Sequence, residues 1–183
     1  MLTAAKVSID DFLKLPDRPD LYLELHDGEV VEVPGPNLRH KRLQTRIQSL
    51  LNTLLSGNGF EVFNEFLYVL SPFEVRRADV AVVRRDRLDQ QISAAAFTGS
   101  PELVVEVLSP SNTALDLLHL RRKCLSANTE QFWVIDPIEQ VVEVYRQNAP
   151  PSEHSAERQP SINFQLAGSQ YQLSVREIFL SEG

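Results

Sequence analysis

Leu103-Val104-Val105-Glu106-Val107-Leu108-Ser109-Pro110-Ser111 decides how this chain folds. The run from Leu103 to Leu108 is short, continuous, rich in β-branched residues and closed by Ser-Pro, the pattern of a buried strand. Downstream, Ala114, Leu117, Leu118, Leu120, Cys124 and Leu125 recur at helical spacing, and Ser111 or Asn112 offers an N-cap for a helix reaching Ala127. Phe132-Trp133-Val134-Ile135-Asp136-Pro137 is then a second apolar strand. Strand, helix and strand in that order require a crossover, hence at least one parallel pair. The expected architecture is a mixed β-sheet flanked by helices, α/β or α+β, and periodicity does not separate the two.

The neighbouring segments extend this frame. Ser8-Ile9-Asp10-Asp11-Phe12-Leu13 reads as a short capped helix ended near Pro16. Leu21 to Val33 alternates around Asp27-Gly28, a pair favoured in two-residue hairpins because both positions tolerate positive φ. Leu38 to Leu55 is the clearest helix, with Leu43, Ile47, Leu50, Leu51 and Leu54 on one face and Gly57-Asn58-Gly59 as its stop. Phe60 to Leu70 and Arg77 to Val83 are strands, and Arg84 to Thr98 is a polar connection with a helical turn. Val141 to Arg146 pairs with the Phe132 strand, Pro150 to Pro160 reads as a solvated loop, and Tyr171 to Phe179 supplies a final strand and short helix. No repeat or low-complexity linker interrupts the 183 residues, so one domain over 1–183 is expected.

Composition excludes several classes. A 43% hydrophobic and 23% charged content is that of an ordinary globular protein. The net charge of −7 lacks the broad basic signature of a DNA-coating protein but leaves room for a local basic strip. A single cysteine, Cys124, rules out an internal disulfide and a cysteine-rich zinc site. No stretch approaches the roughly 18 apolar residues of a membrane span, and Met1 to Asp11 lacks the features of a signal peptide. A cytoplasmic, soluble protein with no membrane partner is expected.

Glu106 is out of place in its strand. An ionised carboxylate buried among aliphatic residues is costly unless it is paired, protonated or bound to a metal. Asp79, at the mouth of Val80-Ala81-Val82-Val83, and Glu24, in Tyr22-Leu23-Glu24-Leu25, are two further acids in strand contexts. If the Asp79 and Glu106 strands are neighbours, their carboxylates converge, and together they either share protons or bind a hard cation such as Mg²⁺ or Mn²⁺. Such a cation polarises a phosphoryl oxygen and deprotonates a water, the chemistry of phosphodiester hydrolysis. The plainer readings are a turn or cap role for Asp79, a solvent-facing Glu24, and a salt bridge from Glu106 to Arg121 or Arg122. His40 shares the apolar face of the long helix, either as a hydrogen-bonded core residue or as a partner of the acids. Arg121 lands in the middle of the next helix's apolar face, either snorkelling to water or aimed at Glu106 or a phosphate, while Lys123 faces solvent.

Taken in order, Glu24-Leu25-His26-Asp27-Gly28-Glu29, His40 opening a long helix, Ala78-Asp79-Val80-Ala81-Val82-Val83, the Glu106 strand with Ser109-Pro110-Ser111, and Phe132 to Pro137 resemble the Uma-two family. This family, much expanded in cyanobacteria, comprises restriction-endonuclease-like proteins of the PD-(D/E)xK nuclease superfamily. The resemblance spans roughly Ser8 to Arg146. It implies a restriction-endonuclease-like core, a Mg²⁺- or Mn²⁺-dependent endonuclease site, DNA as partner and a homodimer. Asp79 matches the family's PD aspartate, Glu106 its second acid, Glu24 the acid of the N-terminal segment and His40 the histidine at the start of the long helix. The implied metal ligands are Glu24, Asp79 and Glu106, supported by His40. Two positions depart: Ala78 replaces the usual proline, and the expected lysine is missing, with Leu108 two residues after Glu106 and Leu120 at the alternative place on the following helix. Arg121 is the candidate substitute, giving Asp79, Glu106 and Arg121 as the catalytic set. The rivals are a degenerate nuclease fold serving as a binding or assembly module, and an unrelated acidic-cluster hydrolase acting on a small phosphoester.

Overall fold

The computed structural model describes residues 6–16, 18, 21–109 and 113–180. A short helix α1 (Ile9–Phe12), capped by Ser8, leads to the hairpin of β1 (Leu21–His26) and β2 (Glu29–Pro34). Its turn has Asp27 at φ 49° and Gly28 at φ 90°, the conformation that the Asp-Gly pair permits. Helix α2 (Leu38–Leu55) follows, with Asn37 Oδ1 accepting from the His40 amide as its N-cap. Two long strands, β3 (Phe60–Ser71) and β4 (Glu74–Arg84), form an antiparallel pair. Helix α3 (Arg85–Asp89) and the short β5 (Phe97–Thr98) occupy the connection. The crossover expected from the sequence comes next: β6 (Leu103–Val107), α4 (Ala114–Ser126) and β7 (Gln131–Asp136), with β6 and β7 parallel. Ser111 and Asn112 lie outside the described residues, and the α4 cap is Thr113, whose Oγ1 accepts from the Asp116 amide. The chain closes with β8 (Val141–Tyr145), β9 (Ser152–Ser155), β10 (Ser161–Leu166), β11 (Ser169–Ser174) and α5 (Val175–Phe179).

Among the described residues nine strands form one mixed sheet in the order β2-β1-β4-β6-β7-β8-β9, with β3 on β4 and β5 on β3, while β10 and β11 form a separate hairpin. Pro150 to Pro160 is therefore not wholly a loop. Ser152–Ser155 pairs with β8 and buries His154, whose ring nitrogens meet Ser152 Oγ at 2.9 Å and the Ser161 carbonyl at 3.0 Å. A polar Ser-Glu-His-Ser strand has no apolar alternation to betray it. One face of the sheet packs Ile47, Leu51 and Leu55 of α2 against Val80, Val105, Val107, Trp133 and Ile135, joined by Phe164, Leu166 and Ile178 from the C-terminal segment. The other packs Leu120 and Cys124 of α4 against Ala81, Val83, Val104 and Phe132.

The sheet forks at β4. A strand has two edges, and β3 takes one of them over its whole length. β1 and β6 share the other: β1 pairs at Val75 and β6 at Val80 to Val82. Between them, the edge of β4 from Arg76 to Asp79 has no strand against it among the described residues. Backbone groups there need other partners.

Candidate functional site

A carboxylate supplies one such partner on β4, and another reaches across the fork to β6. Glu24 Oε1 accepts from the Arg77 amide at 3.1 Å, and Asp79 Oδ2 accepts from the Val107 amide at 2.6 Å. Continuing the β4–β6 register by one residue from Val80↔Val105 sets Asp79 beside Glu106. Because Val105 and Val107 lie in the α2-side core and Val104 in the other, strand alternation turns Glu106 toward α4. The fork opens into a cleft of about 470 Å³, lined by Glu24, His26, His40, Glu65, Asp79 and Glu106 among others. A shallower depression of about 570 Å³ at Gly59, Arg84 and Ala167 contains none of the predicted site residues.

Asp79 is held from three directions. His40 Nε2 lies 2.9 Å from its Oδ1, and Gln44 Nε2 donates to the same oxygen at 2.8 Å. Gln44 and His40 are one helical turn apart on α2, so both reach one point. Burial acts to lower the His40 pKa, but the hydrogen bond and charge of Asp79, with Glu65 behind, outweigh it and raise it above the ordinary value. Gln44 also donates to Glu65 Oε1. Glu65 sits in β3 at φ 52°, a left-handed conformation that costs about 1–3 kcal/mol for a residue with a side chain. Burial, and then the Asp79 charge, raise its pKa despite the Gln44 bond.

Glu24 is also fully engaged. His26 Nε2 stands 2.6 Å from Oε2 and Arg76 Nη1 3.5 Å from it. Arg76 is buried, and its Nε donates to Glu74 Oε1 at 2.6 Å. Lys123 Nζ then bridges Glu74 Oε2 and Asp27 Oδ2 at 2.8 and 2.9 Å. The wheel of α4 points this lysine outward, yet its stem reaches back to the β1–β2 turn, so it does not simply face solvent.

Glu106 alone lacks company. It is 8% exposed, and among the described residues its Oε1 has no hydrogen-bond partner. Burial first, then the Asp79 and Glu24 charges, push its pKa well above the usual carboxylate range, with Arg76 acting in the opposite direction. The salt bridge to Arg121 or Arg122 does not form. Arg121 lies over the Tyr145 ring, its Cζ 3.8 Å from the centroid, and is absent from the cleft wall. An aromatic neighbour on β8 captures the guanidinium before it reaches the acids. Leu120 does line the cleft, while Leu108 packs into the α4-side core.

Glu24, His40, Asp79 and Glu106 thus share one cleft. Among the described residues, however, no three acidic, histidine or cysteine side chains stand as a ready metal-binding group, and both Glu24 and Asp79 have their oxygens engaged by protein partners. Gln44, Glu65, Arg76, Glu74 and His26 were not anticipated. The spacing of Glu24-x-His26 and Glu74-x-Arg76 carried a signal, since residues two apart on a strand share a face. Nothing local marks the left-handed Glu65.

Over the whole fold, the protein is similar to the crystal structure of "a putative nuclease belonging to DUF820" from Anabaena variabilis ATCC 29413. The TM-score is 0.80 at 24% identity, covering 94% of this chain and 97% of that one. A curated relative, "Uncharacterized protein slr1290" of Synechocystis sp. (strain ATCC 27184 / PCC 6803 / Kazusa), is 31% identical over 115 residues, 61% of this chain. The match spans 58% of that relative's length. The family model described as "Putative restriction endonuclease" matches residues 9–176, and the chain belongs to this Uma2 (Uma-two) family.

Proposed function

We propose that the protein is a divalent-cation-dependent endonuclease acting on nucleic-acid phosphodiester bonds at the β4–β6 fork. The observation that carries this reading is the orphaned Glu106 Oε1, buried beside Asp79 in a cleft where burial, and then the Asp79 and Glu24 charges, raise the proton affinity of Glu106. A hard cation with oxygen preference relieves that arrangement, so the donor chemistry fits Mg²⁺ or Mn²⁺. Asp79 and Glu106 would hold it with Glu24 in support, Asp79 and Glu24 each after release of one of their present partners. The cation would polarise a phosphoryl oxygen and lower the pKa of a bound water.

The chain's own residues do the rest. His40 and Gln44 fix the Asp79 carboxylate, and His40 carries a proton at Nε2 when it donates to Oδ1. Arg76, held by Glu74 and through it by Lys123, places a fixed positive charge on the cleft wall where the family's lysine is replaced by Leu120. A guanidinium there offsets charge developing on a phosphate. Arg121, packed on Tyr145, has no part in this scheme.

Titration calorimetry with Mn²⁺ on wild type and Asp79→Ala is the test of the cation site, paired with cleavage of single- and double-stranded DNA. Wild type is expected to give binding heat and Mn²⁺-dependent nicking, and Asp79→Ala to lose both, with cleavage down at least about 100-fold. One observation favours a second reading, a nuclease fold that binds without cutting: Leu120 leaves the cleft wall without the expected lysine. Nucleic-acid binding with neither Mn²⁺ heat nor cleavage would establish that reading and end the first.

A further inference from the structure

Strand β3 breaks its own alternation at one residue. Phe60 and Val62 pack in the α2-side core and Phe63 in the α4-side core, as successive side chains of a strand should. Beyond Glu65 the parity is reversed, and Phe66, Tyr68 and Leu70 all pack on the α4 side. Strand β4 reverses at the facing position, with Ala78 and Ala81 on the α4 side and Val80 and Val82 on the α2 side. The register holds throughout, Asn64 opposite Val80 and Phe66 opposite Ala78, so neither strand gains a residue there as it would in a bulge. Both strands turn over together. The residues at the pivot, directly opposite each other, are Glu65 and Asp79.

Glu65 makes the turn-over with a left-handed φ of 52°. The other non-glycine residues with positive φ, Asp27, Asn128, Gln140, Asn148 and Ala167, all lie in turns. In regular alternation with Phe63 the Glu65 side chain would face α4. Instead it meets Gln44 of α2, whose Nε2 donates to Glu65 Oε1 at 2.5 Å and to Asp79 Oδ1 at 2.8 Å. Arg77 holds the strained backbone: its Nη1 donates to the Glu65 carbonyl at 2.9 Å, and its Cζ rests 4.5 Å from the Tyr22 ring centroid. Stability gives no reason for a glutamate here, since glycine adopts this conformation freely.

We propose that Glu65 is a positioning residue for Asp79, acting through Gln44, a role that rests on reading Asp79 as a cation ligand. An ionised carboxylate only accepts hydrogen bonds. Two of them beside the buried Gln44 amide therefore admit its NH₂ end and exclude its oxygen. With one proton given to each acid the amide is locked, and together with His40 it fixes Oδ1 of Asp79. The carboxylate then has Oδ2, now on the Val107 amide, to turn to a cation. Without Glu65, one N–H of a buried amide loses its acceptor and the amide is free to rotate away.

The experiment is Mn²⁺ titration calorimetry on the full chain, with DNA cleavage kinetics alongside. Wild type is compared with Glu65→Ala, Glu65→Gln, Glu65→Gly, Gln44→Ala and the Glu65→Ala/Gln44→Ala double variant. Glu65→Ala is expected to weaken Mn²⁺ binding by about tenfold or more, the scale of a group that orients a metal ligand. It should lower kcat and leave KM for DNA unchanged. Glu65→Gln, which can still accept from Gln44 through its amide oxygen, should recover most of the loss. Glu65→Gly should melt at or above the wild-type temperature yet lose as much as Glu65→Ala, because glycine relieves the backbone and supplies no acceptor. That contrast separates positioning from folding. In the Gln44→Ala background, Glu65→Ala should have no further effect. Additive losses, a Glu65→Gln variant no better than Glu65→Ala, or a rise in KM alone would each overturn the assignment. No Mn²⁺ heat from wild type would remove the cation reading itself, and this assignment with it. Heat from wild type that Glu65→Ala and Glu65→Gly retain in full would remove this assignment alone.

Discussion

A buried carboxylate oxygen without a donor works against folding, and Glu106 is in that position when no cation is present. Burial and the Asp79 and Glu24 charges raise its folded-state pKa, whereas the unfolded chain titrates near the ordinary 4.5. Between those values the folded protein keeps a proton that the unfolded chain has released, so stability falls as pH rises through the window. Glu106→Gln retains the shape and removes the ionisation. In EDTA, thermal unfolding of the variant should match wild type on the acid side of 4.5, and the variant should become the more stable as pH rises toward neutrality. Parallel pH profiles would show that Glu106 is compensated after all. The residue that opposes folding is the one with a free oxygen to offer a cation, a familiar exchange of stability for function.

Elements decide where that oxygen ends up. The β6-α4-β7 crossover, the Asp27-Gly28 hairpin and the full span of α2 were legible from periodicity and caps, because local chemistry and tertiary packing agree there. The fork was not, since it depends on how far β1 and β6 each extend along one edge of β4, and register is invisible in a single strand's sequence. For the same reason Asp79 and Glu106 were readable as candidates, whereas Gln44 and Arg76 became site residues only once α2 and β4 met. Lys123 shows a further limit. A helical wheel locates its Cα correctly on the outer face, but the long side chain binds Glu74 and Asp27 and ties α4 to the β1–β2 turn. Glu74 is nearly inaccessible, so losing this partner leaves a buried carboxylate with Arg76 and the Asp27 amide alone. Lys123→Met should lower urea-measured stability by about 1–2 kcal/mol, a value reduced for the partial exposure of the lysine. Lys14→Met, at an exposed pair, should change it by under ~0.5 kcal/mol. Equal effects would mean that the tie carries no stability.

At the scale of the molecule, the nine-stranded sheet packs an apolar core on each face, with a further apolar cluster at Phe12, Leu25, Val69 and Val75, and the C-terminal segment belongs to the α2-side core. Ile162, Phe164, Leu166, Leu173, Val175 and Ile178 are all buried in the α2-side core. Phe164 meets Trp133 edge-on, with centroids 5.0 Å apart and planes at 88°. Although β10 and β11 form a sheet of their own, an isolated two-stranded hairpin is marginal in water, so its order derives from this packing. The hairpin and α5 should therefore unfold together with the nine-stranded sheet. Phe164→Ala removes a fully buried ring and should cost about 3–5 kcal/mol. In a chain of this size that lowers the midpoint by on the order of 10 °C. The decisive feature is the shape of the transition. One cooperative step shifted as a whole, seen equally by calorimetry and by Trp133 fluorescence, is expected if residues 6–180 form one folding unit. An early step that leaves the Trp133 signal at its wild-type midpoint would instead identify the C-terminal segment as an appendage, and the fork, with its cleft, as stable without it.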